Sequence, residues 1–553
     1  MYRYTEYDRD FLKARNAEFR DQTERWQAGE LDDDEFKQLR LRNGLYIQRH
    51  APMLRVAIPY GQLSSDQLRA LGYVASTWDR GYGHITTRQN IQYNWPEVGD
   101  VPDILDHLAS VDMHAIQTSG NCIRNTTSDP LAGAVVDEIE DPRPWCELIR
   151  QWSTLHPEFN WLPRKFKIAV TGAESDRAAV QVHDIGLRLV RQDDELGFEV
   201  LVGGGLGRTP HIGSVIRSFL PTRHLLGYLS AILRVYNLEG RRDNLYKARI
   251  KILVAALGID TFAERVEDEW KRSHDRTGDV DEQTMEALRA MFPAPRELKG
   301  PALDTSTCDA RLESDPIFGQ WYKVNTREHR DPNRRIVYIP LKNDERPAGD
   351  LTGKMMDAIA DLADRYSLGE LRTTHEQNLV LAHVPRADLV ELWRDLRSLG
   401  LGTPNLGHVT DMIVCPGLDF CSLANAGTLT LYDQVQERFD DIDHVHDIGE
   451  ISIKVSGCMN ACGHHHVGDI GILGVEKKGE EWYQLTLGGH AGNAASLGQR
   501  LGKALPKTEV IPAIDSLLGT YLAIRLDGET FAETVRRTGV TPFQETVYAT
   551  EAA

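Results

Sequence analysis

Two segments far apart in this chain carry nearly the same string of residues. They are His84-Ile85-Thr86-Thr87-Arg88-Gln89-Asn90-Ile91 and Arg372-Thr373-Thr374-His375-Glu376-Gln377-Asn378-Leu379. Thr86, Gln89 and Asn90 fall against Thr374, Gln377 and Asn378. The periodicity around each predicts the same order of elements. In the first copy an alternating segment, 54–60, precedes a helix capped by Ser64 or Ser65 that carries Leu68, Leu71, Val74 and Trp78 on one face. A strand over 84–95 and a helix after Pro102 complete it. In the second, a strand over 336–341 precedes a helix with Met355, Met356, Ile359 and Leu362. A strand over 372–383 and a helix after Pro385 follow. Copies so widely separated are a duplication rather than a solenoid. Position 88 is arginine and its counterpart 376 is glutamate, the pattern expected of one active and one structural duplicate.

The copies divide the rest of the chain. Residues 1–50 read as a polar helical arm, helical over 10–42 and ending near Gly44; the half-repeats span 51–125 and 296–410; α/β regions fill 126–295 and 411–553. The net charge of −19 argues against a general nucleic-acid binder, which needs a basic face. No apolar run is long enough to span a bilayer, and the first fifteen residues are charged without an apolar targeting core. The expected location is the cytoplasm, with no membrane and no nucleic-acid partner.

Four of the seven cysteines form two close pairs, Cys415/Cys421 in Cys-Pro-Gly-Leu-Asp-Phe-Cys and Cys458/Cys462 in Gly-Cys-Met-Asn-Ala-Cys-Gly. Four thiolates suit a cubane iron–sulfur cluster. The flanking Gly417, Gly457, Ala461 and Gly463 let backbone approach an inorganic core. A structural zinc site is the alternative, although the first pair is loosely spaced for it. Disulfides suit small secreted domains rather than a long chain with few cysteines. Cys122, Cys146 and Cys308 stand alone and read as small buried hydrophobes.

Cations gather at turns and strand ends: Arg55, Arg88, Arg124 in Ser-Gly-Asn-Cys-Ile-Arg-Asn, and Arg164, Lys165 and Lys167 in Leu-Pro-Arg-Lys-Phe-Lys. An extended backbone there projects Lys165 and Lys167 to one side and Arg164 and Phe166 to the other. Singly, each reads as a surface charge; together they imply an anion. Gly203, Gly204 and Gly205 lie in Leu-Val-Gly-Gly-Gly-Leu-Gly after a predicted strand. This is not the dinucleotide fingerprint, and close backbone approach to a flat or anionic ligand fits it better.

With these residues in view, the chain resembles the siroheme-containing nitrite and sulfite reductases, and within them the assimilatory sulfite reductase hemoprotein (beta) subunit. The paired cysteines carry the resemblance, with Thr86-x-Arg88-Gln89, Asn121-x-x-Arg124-Asn125, Leu-Pro-Arg-Lys-Phe-Lys and Val-Gly-Gly-Gly-Leu. It implies a mixed α+β and α/β fold, in which duplicated ferredoxin-like half-repeats pair into one domain beside two α/β siroheme and iron–sulfur domains. It also implies that Cys415, Cys421, Cys458 and Cys462 hold a [4Fe–4S] cluster, with Cys462 also the axial ligand of siroheme iron. Arg88, Arg164 and the glycines 203–205 would bind the macrocycle, and Arg55, Arg124, Lys165 and Lys167 would line the catalytic pocket. The implied reaction is six-electron reduction of sulfite to sulfide, with nitrite reduction to ammonia as the alternative; relatives acting on nitrite often read Trp-Asn where this chain has Phe166-Lys167. Electrons would come from a ferredoxin or a separate NADPH flavoprotein subunit. Tyr46 and Cys122 match positions that are covalently linked in some relatives. His464, His465 and His466 invite a metal reading, but cluster-domain surface or core packing is the expectation.

Overall fold

The computed structural model describes residues 2–292 and 304–548; the expected boundary between residues 295 and 296 lies outside the described residues. The α+β architecture is built on four sheets related in pairs. In the first, the strand order is Leu45–Ile47, Pro52–Val56, Ile91–Tyr93, Tyr82–Ile85 and then Asp350–Thr352. In the second it is Thr326–Glu328, Arg334–Ile339, Leu379–Pro385, Glu370–Thr373 and then Gln62–Ser64. Each half-repeat thus lends its short strand to the edge of the other's sheet, with Leu351 opposite Gly83 and Leu371 opposite Leu63. The helices Ser65–Trp78 and Gly353–Tyr366 pack against each other. A Cβ on Gly72 would sit 3.0 Å from Gly353 O, so glycine is what lets the backbones meet. Ser64 caps its helix in a capping box, accepting from Gln67 N while Gln67 accepts from Ser64 N, both at 3.1 Å.

The strands expected over 84–95 and 372–383 are instead hairpins, turning at residues 86–90 and 374–378. The shared Thr-x-x-Gln-Asn builds the turn. Thr86 Oγ1 accepts from Arg88 N and Asn90 N, and Thr374 Oγ1 accepts from Glu376 N and Asn378 N. Gln89 and Gln377 take left-handed backbone conformations at φ 55° and 61°. The N-terminal arm is likewise two helices, Glu6–Gln27 and Asp33–Arg40, rather than one. Gly29, at φ 78°, turns the chain between them.

The α/β regions are also copies of each other, which the sequence reading did not detect. The strands Thr127–Ser128, Ile168–Thr171 and Ile185–Gln192 run parallel, and Glu195–Val202 and Ser214–Pro221 continue antiparallel. The other lobe repeats this with Ile413–Val414, Ile453–Ser456 and Ile470–Lys477, then Glu480–Leu487. Glutamines lace lobes to half-repeats. Gln89 Nε2 donates to Ser128 O and Thr373 O, and Gln377 Nε2 donates to Val414 O and Ile85 O.

Candidate cofactor site

Parallel strands deliver both cysteine pairs to one end of the second lobe. Cys415 follows Ile413–Val414, and Cys458 and Cys462 follow Ile453–Ser456, the carboxyl ends where open α/β sheets place ligands. Cys415 Sγ accepts from Gly457 N at 3.1 Å and Cys421 Sγ from Leu423 N at 3.4 Å. A Cβ on Gly457 would lie 2.7 Å from Ala426 O, and one on Gly463 would lie 1.8 Å from Val455 O. Burial pushes the Cys415 thiol up to about 12, and neighbouring Cys462 and Cys458 add to it. Burial also raises Cys421 and Cys458, each with Cys462 as a contributor. Three thiols raised in this way beside a fourth are a poor arrangement unless a cation takes their charge. Among the described residues no three His, Cys, Asp or Glu side chains close on one point as a single-ion site does, so the thiols are spread rather than convergent.

The other parts of the molecule converge on the Cys462 loop. Thr87 Oγ1, beside Arg88, donates to Cys462 O at 2.8 Å. His466 Nε2 bonds Gly207 O at 2.9 Å, joining this loop to the glycine-rich turn of the first lobe. Cys462 is exposed, and its charge acts on Lys165; the cations singled out in the sequence act on one another around Lys165, Arg124 and Arg88. Arg124 clamps its own loop, with Nη1 donating to Thr118 O and Nη2 to Gly120 O, both at 2.7 Å. Arg55 donates to Gln92 Oε1 at 2.8 Å and lies 5.6 Å from the Tyr46 ring, while its buried Nε has no partner. Arg88 donates to Asn125 O at 2.7 Å, to Thr127 Oγ1 and to His183 Nε2. Burial, reinforced by Arg124 and Arg249, pushes Arg88 down to about 9. A guanidinium stays protonated in proteins, so this shift expresses how much the buried charge wants an anion.

Phe166 is fully buried and pairs with Ile123 just before the strand Ile168–Thr171 begins, leaving Lys165 and Lys167 half-buried on either side of it. Burial lowers Lys165, with Cys462 the leading charge opposing that shift. Burial, then Arg249 and Lys165, lower Lys167 well below the lysine range. Arg164 is lowered by burial and by Arg124 and Arg249. Burial works to raise the Tyr46 phenol, yet Arg124, Arg55 and Lys165 together hold it below its usual range. Gly203 and Gly205 take φ 85° and 149°, and a Cβ on Gly204 would lie 2.3 Å from Gln181 O.

Sequence reasoning missed Asp184, Arg249 and Lys251. Asp184, whose side chain is fully buried, bonds Arg249 at 2.7 Å. Lys251 Nζ donates to Gly205 O at 3.1 Å and Leu206 O at 2.9 Å. The run Lys247-Ala-Arg249-Ile-Lys251 reads as an ordinary basic helix start, and only its arrival at the glycine turn marks it. Of the three histidines, His465 is 1 % exposed while His464 and His466 are half-buried, and His466 bonds the first lobe. Cys146 and Cys308 are fully buried, as expected of lone cysteines.

Thiols on one side and uncompensated cations on the other define a redox protein that holds an iron–sulfur cluster beside an anionic prosthetic group. The family model for the nitrite and sulphite reductase 4Fe-4S domain matches residues 119–274 and 407–552, and that for the nitrite/sulfite reductase ferredoxin-like half domain matches 46–111 and 328–399. The chain belongs to the nitrite and sulfite reductase family, a family of oxidoreductases. It is 29% identical over 498 residues to a sulfite reductase [ferredoxin] of Mycobacterium tuberculosis H37Rv, covering 88% of this chain and 82% of that one. It is equally, at 29% over 509 residues, similar to an assimilatory ferredoxin-dependent nitrite reductase of Haloferax mediterranei, covering 88% and 82%. The solved structure of the Mycobacterium tuberculosis NirA protein superposes with a TM-score of 0.76 at 28% identity, covering 93% of this chain and 92% of that one.

Siroheme and a [4Fe–4S] cluster are the cofactors, and the residues present fit both. The orphaned Arg55 Nε, the buried cations Arg88, Lys165 and Lys167, and a glycine turn whose backbone packs closely against Gln181 and Arg249 suit a ligand rich in carboxylates. The four thiols suit the cluster.

Proposed function

We propose that the protein is an assimilatory sulfite reductase, reducing sulfite to sulfide with six electrons and six protons. The observation that carries this reading is the pair of half-buried lysines, Lys165 and Lys167, between Arg124 and Arg249 with Asp184 the acid beside them. Doubly charged sulfite draws more from such a set than singly charged nitrite. When bound, siroheme coupled to the cluster supplies the electrons. The chain supplies the remainder. Cys415, Cys421, Cys458 and Cys462 would hold the cluster, with Cys462, whose charge acts on Lys165, as the ligand that would couple it to siroheme. Arg88, Arg164 and the turn Gly203, Gly204 and Gly205 hold the macrocycle carboxylates and face. Arg55, Arg124, Lys165 and Lys167 bind and orient the oxyanion. Lysines whose protons are already loosened by burial and neighbouring cations are suited to donate them.

Relatives named for ferredoxin support a ferredoxin as electron donor over a separate NADPH flavoprotein subunit. Among the described residues no helix is long and apolar enough to cross a membrane, and we place the enzyme in the cytoplasm, in sulfate assimilation. Turnover of sulfite and nitrite with reduced methyl viologen tests the substrate. A larger kcat/KM for sulfite is expected; a much larger one for nitrite installs nitrite reduction to ammonia instead, a reading that the nitrite-reducing relatives favour. Tyr46 Oη donates to Thr118 O and Cys122 Sγ to Ser119 O, so both side chains lie against one loop. We read them as the partners of a covalent link, and peptide mapping that returns an unmodified Cys122 peptide removes it.

A further inference from the structure

We propose that Arg249, oriented by Asp184, is a further anion-binding residue of this site, taking a carboxylate of the tetrapyrrole or an oxygen of the substrate oxyanion. The argument comes from the repeat of the two lobes. Asp184 and Asp469 each precede the third parallel strand. Each holds the residue before the neighbouring strand: Asp184 Oδ2 accepts from Lys167 N and Asp469 Oδ2 from Ser452 N, both at 2.9 Å. Each carbonyl accepts from a turn glycine, Gly203 N at 3.1 Å and Gly488 N at 2.9 Å. That much is shared scaffold.

The lobes differ at the ligand side. In the second, Ser452 Oγ donates a further bond to Asp469 Oδ2. In the first, Lys167 stands in the place of Ser452, and Arg249 takes Asp184 Oδ1 through both Nε and Nη2, at 2.9 and 2.7 Å. Space is cleared for it. Gly205 and His490 hold equivalent places in reciprocal backbone bridges, Gly205 with His211 and His490 with Ser496. A Cβ at Gly205 would lie 2.8 Å from Arg249 Nη2. The guanidinium is therefore pinned along one edge by a buried carboxylate, and Nη1 has no hydrogen-bond partner among the described residues. Its charge reaches Arg88, Arg164, Lys165, Lys167 and Lys251. One carboxylate fixes its direction without neutralising the group around it, and a planar fork held that way suits a carboxylate or oxyanion.

The inference rests on the cofactor reading and holds for either substrate, so a wild-type preference for nitrite leaves it standing. Holoenzyme carrying Arg249→Gln or Arg249→Lys is purified, siroheme per chain is read from absorbance, and KM and kcat for sulfite and nitrite are measured with reduced methyl viologen. If a macrocycle carboxylate is the ligand, Arg249→Gln lowers siroheme content severalfold. If the oxyanion is the ligand, content holds while KM rises on the order of tenfold, the loss of one charge-assisted contact, and kcat moves less. Arg249→Lys, which keeps charge without the fork, recovers part of either loss. Asp184→Asn shifts the same readout, and combined with Arg249→Gln adds little to it. Wild-type content and wild-type KM in Arg249→Gln overturn the proposal, even if that variant melts at a lower temperature. Should Asp184→Asn not fold, the two Arg249 variants decide the matter.

Discussion

The two half-repeats turn their chain with the same five-residue loop and put opposite charges on it. Around Arg88 stand Arg124 and Arg249, with Asp184 the one acid among the leading charges it feels. Around Glu376 stand Lys342, Lys454 and His375, and Lys342 also bonds Asp411 at 2.8 Å. The second place is neutralised from within the protein. The first is left with more cations than acids among the charges Arg88 feels. A duplicated scaffold can thus keep one copy as self-sufficient structure and leave the other unfinished, and it is the unfinished copy that we propose as the binding site.

The comparison can be broken most severely at Cys462, whose charge acts on the other three cysteines and on Lys165. Cys462→Ser is expected to lower activity on the order of a hundredfold or more and to remove the spectral coupling of cluster and heme together; full activity would end its bridging role. Next in size, Arg88→Glu writes the second copy's charge into the first. The apo-protein should fold, because the added acid meets surplus cations, yet siroheme content should fall severalfold; retained heme would show that Arg88 is not needed to hold it. Lys167→Asn should lower kcat/KM for sulfite by about tenfold and that for nitrite less. An unchanged ratio of the two would sever the tie between lysine count and substrate. The smallest effect on function is expected at Glu376→Gln. It leaves Lys342 and Lys454 short of a countercharge and should cost about 1–3 kcal/mol in a denaturant melt, with siroheme content and turnover kept. Loss of heme there would mean that the second loop serves the ligand after all.

Much of this was legible in the chain because the informative residues are forced by geometry. Thr-x-x-Gln-Asn recurs because a hydroxyl must receive two amide hydrogens and the glutamine must take a left-handed backbone while tying lobe to half-repeat. The same motif hid the hairpins, since it turns the chain without the glycine, proline or Asn-Gly signals that mark most turns. The cysteine pairs and the Leu-Pro-Arg-Lys-Phe-Lys stretch stood out because they carry the family resemblance, whereas spacing alone left a zinc site open for the cysteines. The repeat of the lobes could not. It survives mainly in backbone bonds and in Asp184-Ile185-Gly186 against Asp469-Ile470-Gly471, too short a string to stand out. Arg249 was hidden because its role depends on a carboxylate far earlier in the chain.

The traded edge strands bear on when the enzyme can acquire its prosthetic groups. The sheet that carries the Arg88 loop is completed by Asp350–Thr352, with Asp350 Oδ1 2.7 Å from His84 Nδ1, and the thiols come later still. A ribosome must release nearly the whole polypeptide before any cavity exists to fill. Loading is therefore an event of the finished chain, and a fragment cut between the halves would own neither a complete sheet nor a place for the pigment.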